Sequence, residues 1–133
     1  MSTTVKAIAT ASSGTEEIAA VLDDLHAACH DIVLSIVVTQ DGFTLATKGR
    51  IEAADGERVG ALSSGLLDLC RKTARELHHG EMEQVLLRGN EGYLLLRLAG
   101  PRAMLSVISR PDANIGMVLL DSERAAESVA GLV

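Results

Sequence analysis

Two hydrophobic rhythms alternate along the chain. Between residues 15 and 30, Ile18, Val21, Leu22, Leu25, Ala28 and Cys29 recur at steps of three and four, which gathers them on one stripe of a helix. Thr15 stands where an N-cap is needed, and Glu16 and Glu17 suit the positive end of the helix dipole. Residues 34–39 are rich in β-branched side chains and predict a strand, with a second over 43–47. The intervening Asp41-Gly42 tolerates positive φ at both central positions of a tight turn, so the two strands are read as an antiparallel hairpin.

A long helix is predicted over residues 55–79, with Val59, Leu62, Leu66, Leu69, Cys70 and Leu77 as its buried stripe and Gly80 as its C-cap. Gly60, Ala61, Ser64 and Gly65 put small residues at four-residue steps on an adjoining face. An interior glycine costs a helix about 1 kcal/mol against alanine, so two of them ask for a compensating close approach. The approach is either to the chain's own sheet or to another helix across a dimer axis. Three strands follow at 83–88, 93–98 and 103–108. Their connections, Gly89-Asn90-Glu91-Gly92 and Gly100-Pro101, are short enough to require antiparallel neighbours. Leu94, Leu95 and Leu96 are consecutive, which implies cover on both faces of the sheet. A last helix over 112–130 turns Ile115, Val118, Leu119, Ala126 and Val129 inward. The order is α-β-β-α-β-β-β-α, an α/β domain of the α+β kind, preceded by an expected flexible tail over residues 1–14 and filling residues 15–133.

Composition narrows the function. The 133 residues suit one domain. Aromatic residues make up 2% of the chain and the net charge is −6, which removes both the stacking platforms and the basic patches of nucleic-acid binders. No stretch has the ~20 apolar residues of a membrane span, and residues 1–14 do not resemble a secretory signal. Cys29 and Cys70 fall on helical apolar positions, as free thiols of a cytoplasmic protein do.

Candidate chemistry is sparse. His26, Cys29 and His30 share one helical turn but lack the third and fourth convergent ligands of a zinc site. His78 and His79 close the long helix, where histidine complements the negative dipole end. Ser63-Ser64-Gly65 lacks the strand-turn-helix setting of a nucleophile elbow, and no glycine-rich phosphate loop occurs. Asp23 and Asp24 read as a solvated face, and Glu81 and Glu83 flank a strand without a partner. No catalytic, cofactor-binding or metal-binding residue is predicted, and the chain reads as a protein-binding module rather than an enzyme. A small-ligand sensor has the least support, given so few aromatics and convergent polar groups.

Several of these pieces, in this order, resemble the Roadblock/LC-seven domain family, named for dynein light chains and including bacterial MglB-like proteins. They are the first amphipathic helix, the run Val37-Val38-Thr39-Gln40-Asp41-Gly42-Phe43-Thr44-Leu45-Ala46, the helix around Ala61, Ser64 and Leu67, the turn Glu91-Gly92-Tyr93, and Asn114-Ile115-Gly116. The resemblance spans residues 16–130. It implies a five-stranded antiparallel sheet with the long helix on one face and the terminal helices on the other. It also implies a homodimer in which long helices and third strands pair across a two-fold axis, and a small Ras-like (MglA-type) GTPase as partner. A structural adaptor of a signalling or motility complex is the alternative. The residues themselves agree with the dimer, because strand 83–88 would be an exposed apolar edge in a monomer, a liability unless paired. The expected dimer interface is Gly60, Ala61, Ser64, Gly65 and Asp68 on the long helix with Glu83, Val85 and Leu87 on the edge strand.

Overall fold

A computed structural model describes the backbone of residues 2–50 and 53–133, with side chains described over 14–50 and 55–133. Helix α1 (Ser2–Ala28) leads into strands β1 (Ile32–Thr39) and β2 (Thr44–Gly49). Helix α2 (Ala53–Glu76) follows, then β3 (Gln84–Gly89), β4 (Gly92–Ala99), β5 (Ala103–Ser109) and helix α3 (Ile115–Ala130). The α+β order read from the sequence is the observed one. The five strands form one antiparallel sheet in the order β2-β1-β5-β4-β3. The β1–β2 hairpin and the β3–β4–β5 meander are thus joined through the β1–β5 pair. Helix α2 carries the chain from one edge of the sheet to the other. Four strand spacings amount to roughly 19 Å, and 24 helical residues reach about 36 Å, so one helix makes the crossing.

Each face of the sheet has its own core. On one, Ile18, Leu22 and Leu25 of α1, Cys29 just after it, and Val118, Ala126 and Val129 of α3 pack on Val37, Leu95, Leu105 and Val107. On the other, Leu67 of α2 packs with Leu34, Ile36, Val38, Met82 and Met104. Alternation along each strand produces this division: Leu95 belongs to the first core, while Leu94 and Leu98 face α2.

Four local expectations change. Helix α1 continues back to Ser2, so Thr15 lies inside it rather than capping it. Among the described side chains of α1, those that pack in the core begin at Ile18. The hairpin is closed by three residues, not two. The Gly42 N–H bonds the Thr39 carbonyl and the Thr39 N–H bonds the Phe43 carbonyl, with Gly42 alone at positive φ (94°). A turn over Gln40-Asp41 is followed by a glycine bulge, and Asp41 keeps an ordinary conformation. Helix α3 starts at Ile115 rather than 112, because the Asn114 side chain caps it by accepting from the Met117 N–H.

The fourth change is at the end of α2. Gly80 is not its cap. His78 takes the left-handed conformation (φ 57°), its N–H bonds the Arg75 carbonyl, and the His79 N–H reaches back to the Ala74 carbonyl. This pair of bonds is a Schellman ending with histidine where glycine is usual. A Cβ in that region is strained by about 1–2 kcal/mol, against which glycine brings a larger unfolded-state entropy of roughly 0.5–1 kcal/mol. His78→Gly is therefore expected to stabilise the fold by about 0.5–1 kcal/mol, read as a higher urea midpoint. An unchanged or lower midpoint would refute the strain argument.

Candidate functional site

Helix α2 is held to the sheet by Leu67 and by small-residue contacts, not by the leucine stripe read from the sequence. The buried line along it is Gly56, Gly60, Ser63 and Leu67. A Cβ built on Gly60 would sit 3.1 Å from Val38 Cγ1 and 3.4 Å from the Gly42 carbonyl oxygen, so this glycine lets the helix lie close to the hairpin. Ser64 Oγ donates to the Gln40 carbonyl at 2.7 Å, and Arg71 Nη1 donates to Gln40 Oε1 at 3.1 Å. Ser63 Oγ meets Ser106 Oγ at 3.2 Å in the interior. The helix is thus fastened over β1, β2 and β5.

That fastening leaves the stripe read as buried facing outward. Leu62 is 67% exposed, Leu69 62% and Leu77 58%, while Val59, Leu66 and Cys70 are only half-buried. The expectation of a buried leucine stripe is corrected: Gly56, Gly60 and Ser63, with Leu67, take the inner face, because at the hairpin only a small residue permits so close an approach. Gly65 stands apart from Gly60. A Cβ there meets nothing within 4 Å.

Beside these leucines lies the edge strand. Among the described strands β3 is hydrogen-bonded to β4 alone, and Leu87 pairs with Leu94 in register. Leu62, Ser63 and Val59 of α2 and Leu87, Tyr93 and Leu94 of the sheet line an apolar groove of about 290 Å³. The Arg88 guanidinium lies over the Tyr93 ring, 5.7 Å from its centre, at one end of β3. At the other end Arg97 bridges Gln84 Oε1 (2.5 Å) and Glu123 Oε1 (3.3 Å). The opposite edge, β2, is unlike it. It packs under α1, Lys48 pairs with Asp23 at 3.0 Å, and a register shift falls between Val37 and Val38, devices that blunt an edge. Among the described residues, it is β3 that offers an apolar edge beside an uncovered helix. Contiguous apolar exposure of this kind marks an interaction surface.

The residues expected from sequence therefore separate. Ala61, Gly65 and Asp68 lie on the exposed side of α2, with Glu83 exposed before β3, Val85 half-buried toward α2 and Leu87 exposed in the groove. Gly60 and Ser64 face the hairpin instead. Leu62 and Leu69 belong to the surface and not, as their spacing suggests, to the interior. The signal that could have found them is the alternative line Gly56, Gly60, Ser63 and Leu67, at steps of three and four.

Elsewhere the titratable groups serve the fold. His26 Nε2 lies 2.8 Å from Ser35 Oγ, and burial, aided by the Lys48 charge, pushes its pKa down against the pull of Asp23. The Asp31 carboxylate accepts from the Asn114 N–H at 2.9 Å and pairs with Arg110, contacts that hold its pKa low and tie the start of β1 to that of α3. Burial raises the Cys29 thiol pKa, leaving it a poor nucleophile.

The chain resembles known proteins over most of its length. The family model described as the Roadblock/LC7 domain matches residues 18–109. An uncharacterized protein of Methanocaldococcus jannaschii, MJ1340, is 32% identical over 98 residues, covering 74% of this chain and 84% of that protein. Among solved structures, the gliding protein MglB of Thermus thermophilus superposes with a TM-score of 0.82 at 21% identity, covering 90% of each chain. A structure titled as MglB with a tetrameric arrangement gives the same TM-score and identity, over 90% of this chain and 89% of that one. The protein belongs to the Roadblock/LC7 domain family, and it shares the MglB fold.

Proposed function

We propose that this chain is a non-catalytic, homodimeric protein-binding module of the cytoplasm that binds a small Ras-like GTPase of the MglA type and regulates its nucleotide cycle. The observation that carries the reading is the uncovered apolar surface formed by Leu62 and Leu69 of α2 with Leu87 on the unpaired β3 edge. A second copy related by a two-fold axis would present the same helix and edge, extend the sheet through β3 and bury both leucine rows. Ala61, Gly65, Asp68, Glu83, Val85 and Leu87 then lie in the interface, while Gly60 and Ser64 act from the inner side by holding α2 on the hairpin. The GTPase part rests on the family resemblance, supported by the fold shared with MglB.

The test is interferometry of the full chain against an MglA-type GTPase loaded with GDP or with a non-hydrolysable GTP analogue, beside light scattering of the chain alone. The expected result is a mass twice the 14.0 kDa of one chain and binding that depends on the nucleotide. A stable dimer with no GTPase binding in either state would sink the regulator and favour the adaptor. A monomer at micromolar concentration would sink the dimer.

A further inference from the structure

On the opposite face from α2, a cleft of about 200 Å³ opens between α1 and α3. Leu25, Ala28 and Ala125 supply apolar walls, and Asp24, Asp121 and Arg124 bring charge. Asp121 is the unusual member. It is only 7% exposed, it lines this cleft, and its Oδ2 is fully buried without a hydrogen-bond partner. A buried carboxylate oxygen without a hydrogen-bond partner carries a desolvation cost that a bound donor relieves. Arg124, one turn further along α3, shares the cleft, yet no ion pair joins it to Asp121 among the described residues.

We propose that this cleft binds a primary ammonium group carried on a short apolar stem, with the Asp121 carboxylate, turned so that its buried oxygen reaches the cleft, as principal acceptor and Asp24 at the mouth. The chemistry of the lining selects this class. A hard metal ion wants six or more oxygens, and the described residues hold no group of three or more His, Cys, Asp or Glu suited to a metal. An anion would meet two carboxylates against one guanidinium. A drug-sized molecule needs a site of roughly 300–1,000 Å³, more than this cleft offers. An ammonium brings three donors to an acceptor-only carboxylate, and an alkyl stem lies along Leu25, Ala28 and Ala125 as lysine stems lie on apolar surface. The group is either a free amine or a lysine side chain of a partner protein. This site is on the other side of the sheet from the proposed dimer surface and does not depend on it.

The experiment is a ¹H–¹⁵N NMR titration of the full chain with n-butylammonium chloride, with butan-1-ol as the uncharged match and a capped Gly-Lys-Gly peptide as the protein-borne form. The ammonium is expected to give saturable shifts over residues 21–28 and 121–128 with a dissociation constant on the order of 1 mM, in keeping with so few ligand atoms. Asp121→Asn keeps the shape and is expected to weaken binding about ten-fold or more. Ala28→Leu, at an exposed position, fills the cleft and abolishes the shifts without burdening the core. Response to the peptide assigns the site to a lysine side chain, and response to butylammonium alone assigns it to a free amine. The proposal is overturned if neither probe saturates, if butan-1-ol shifts the same residues as strongly, or if Asp121→Asn binds as tightly as the parent.

Discussion

Replacing Gly65 with leucine is expected to strengthen the protomer and break the proposed dimer. Within one chain the substitution meets open space, since a Cβ at Gly65 has no neighbour within 4 Å. The helix itself gains roughly 1 kcal/mol when leucine replaces an interior glycine. Across the proposed two-fold interface the same side chain would appear twice, once from each copy, where close helix approach would leave no room. Overpacking costs typically 1–3 kcal/mol at each site, so dimer affinity is expected to fall on the order of 100-fold or more. Sedimentation over a concentration series reads the association, and a thermal melt of the dilute monomer reads the protomer. A Gly65→Leu chain that stays dimeric while melting higher would remove α2 from the interface. Leu62→Glu is the companion, placing a charge in the groove of a residue 67% exposed in the protomer. It should separate the copies with little effect on the monomer.

The second large effect is on stability alone. Gly49→Ala is expected to cost about 3 kcal/mol, from a strained backbone at 1–3 kcal/mol and a steric clash of similar size. Gly49 ends β2 with φ at 124°, a conformation side chains rarely adopt. Its missing Cβ would collide with the Val33 carbonyl oxygen and sit 2.9 Å from Leu34 Cα, neither of which can yield without shifting β1. For a domain of this size the melting temperature should drop by roughly 10 °C. A change of less than about 0.5 kcal/mol, as expected of an ordinary surface substitution, would mean that the strand end relaxes freely and that Gly49 does not pin the β1–β2 register.

Much of the fold is legible in the sequence because local rules suffice for it. The β-branched run around Val37 and Val38, the glycine-closed hairpin and the short β3–β4 connection each dictate antiparallel neighbours, and the elements appear in the expected order. Helix ends are less legible. The local pattern points to Gly80 as the end of α2, yet the left-handed residue that closes the helix is His78, two positions earlier, because nothing in that pattern compels histidine to accept the strain. The buried Asp121 and Ser122 of α3 are not foreseeable either. Their positions on the helix are visible in sequence, but their burial depends on α1 lying alongside α3.

The candidate surface shows the same boundary. The edge strand is recognisable, since Val85, Leu86 and Leu87 form an apolar run that a meander of short turns leaves at one side. The companion face of α2 is not. Its leucine row and its small-residue line are both compatible with a helical period, and a hydrophobic count favours turning the leucines inward. Sequence alone determined that α2 is amphipathic, that it bridges hairpin and meander, and that β3 ends the sheet. Which side of α2 meets the sheet was decided only in three dimensions. Val38 and the Gly42 carbonyl lie so near the helix axis that Gly60 fits against them and a leucine does not, so the leucines are left on the outside beside β3.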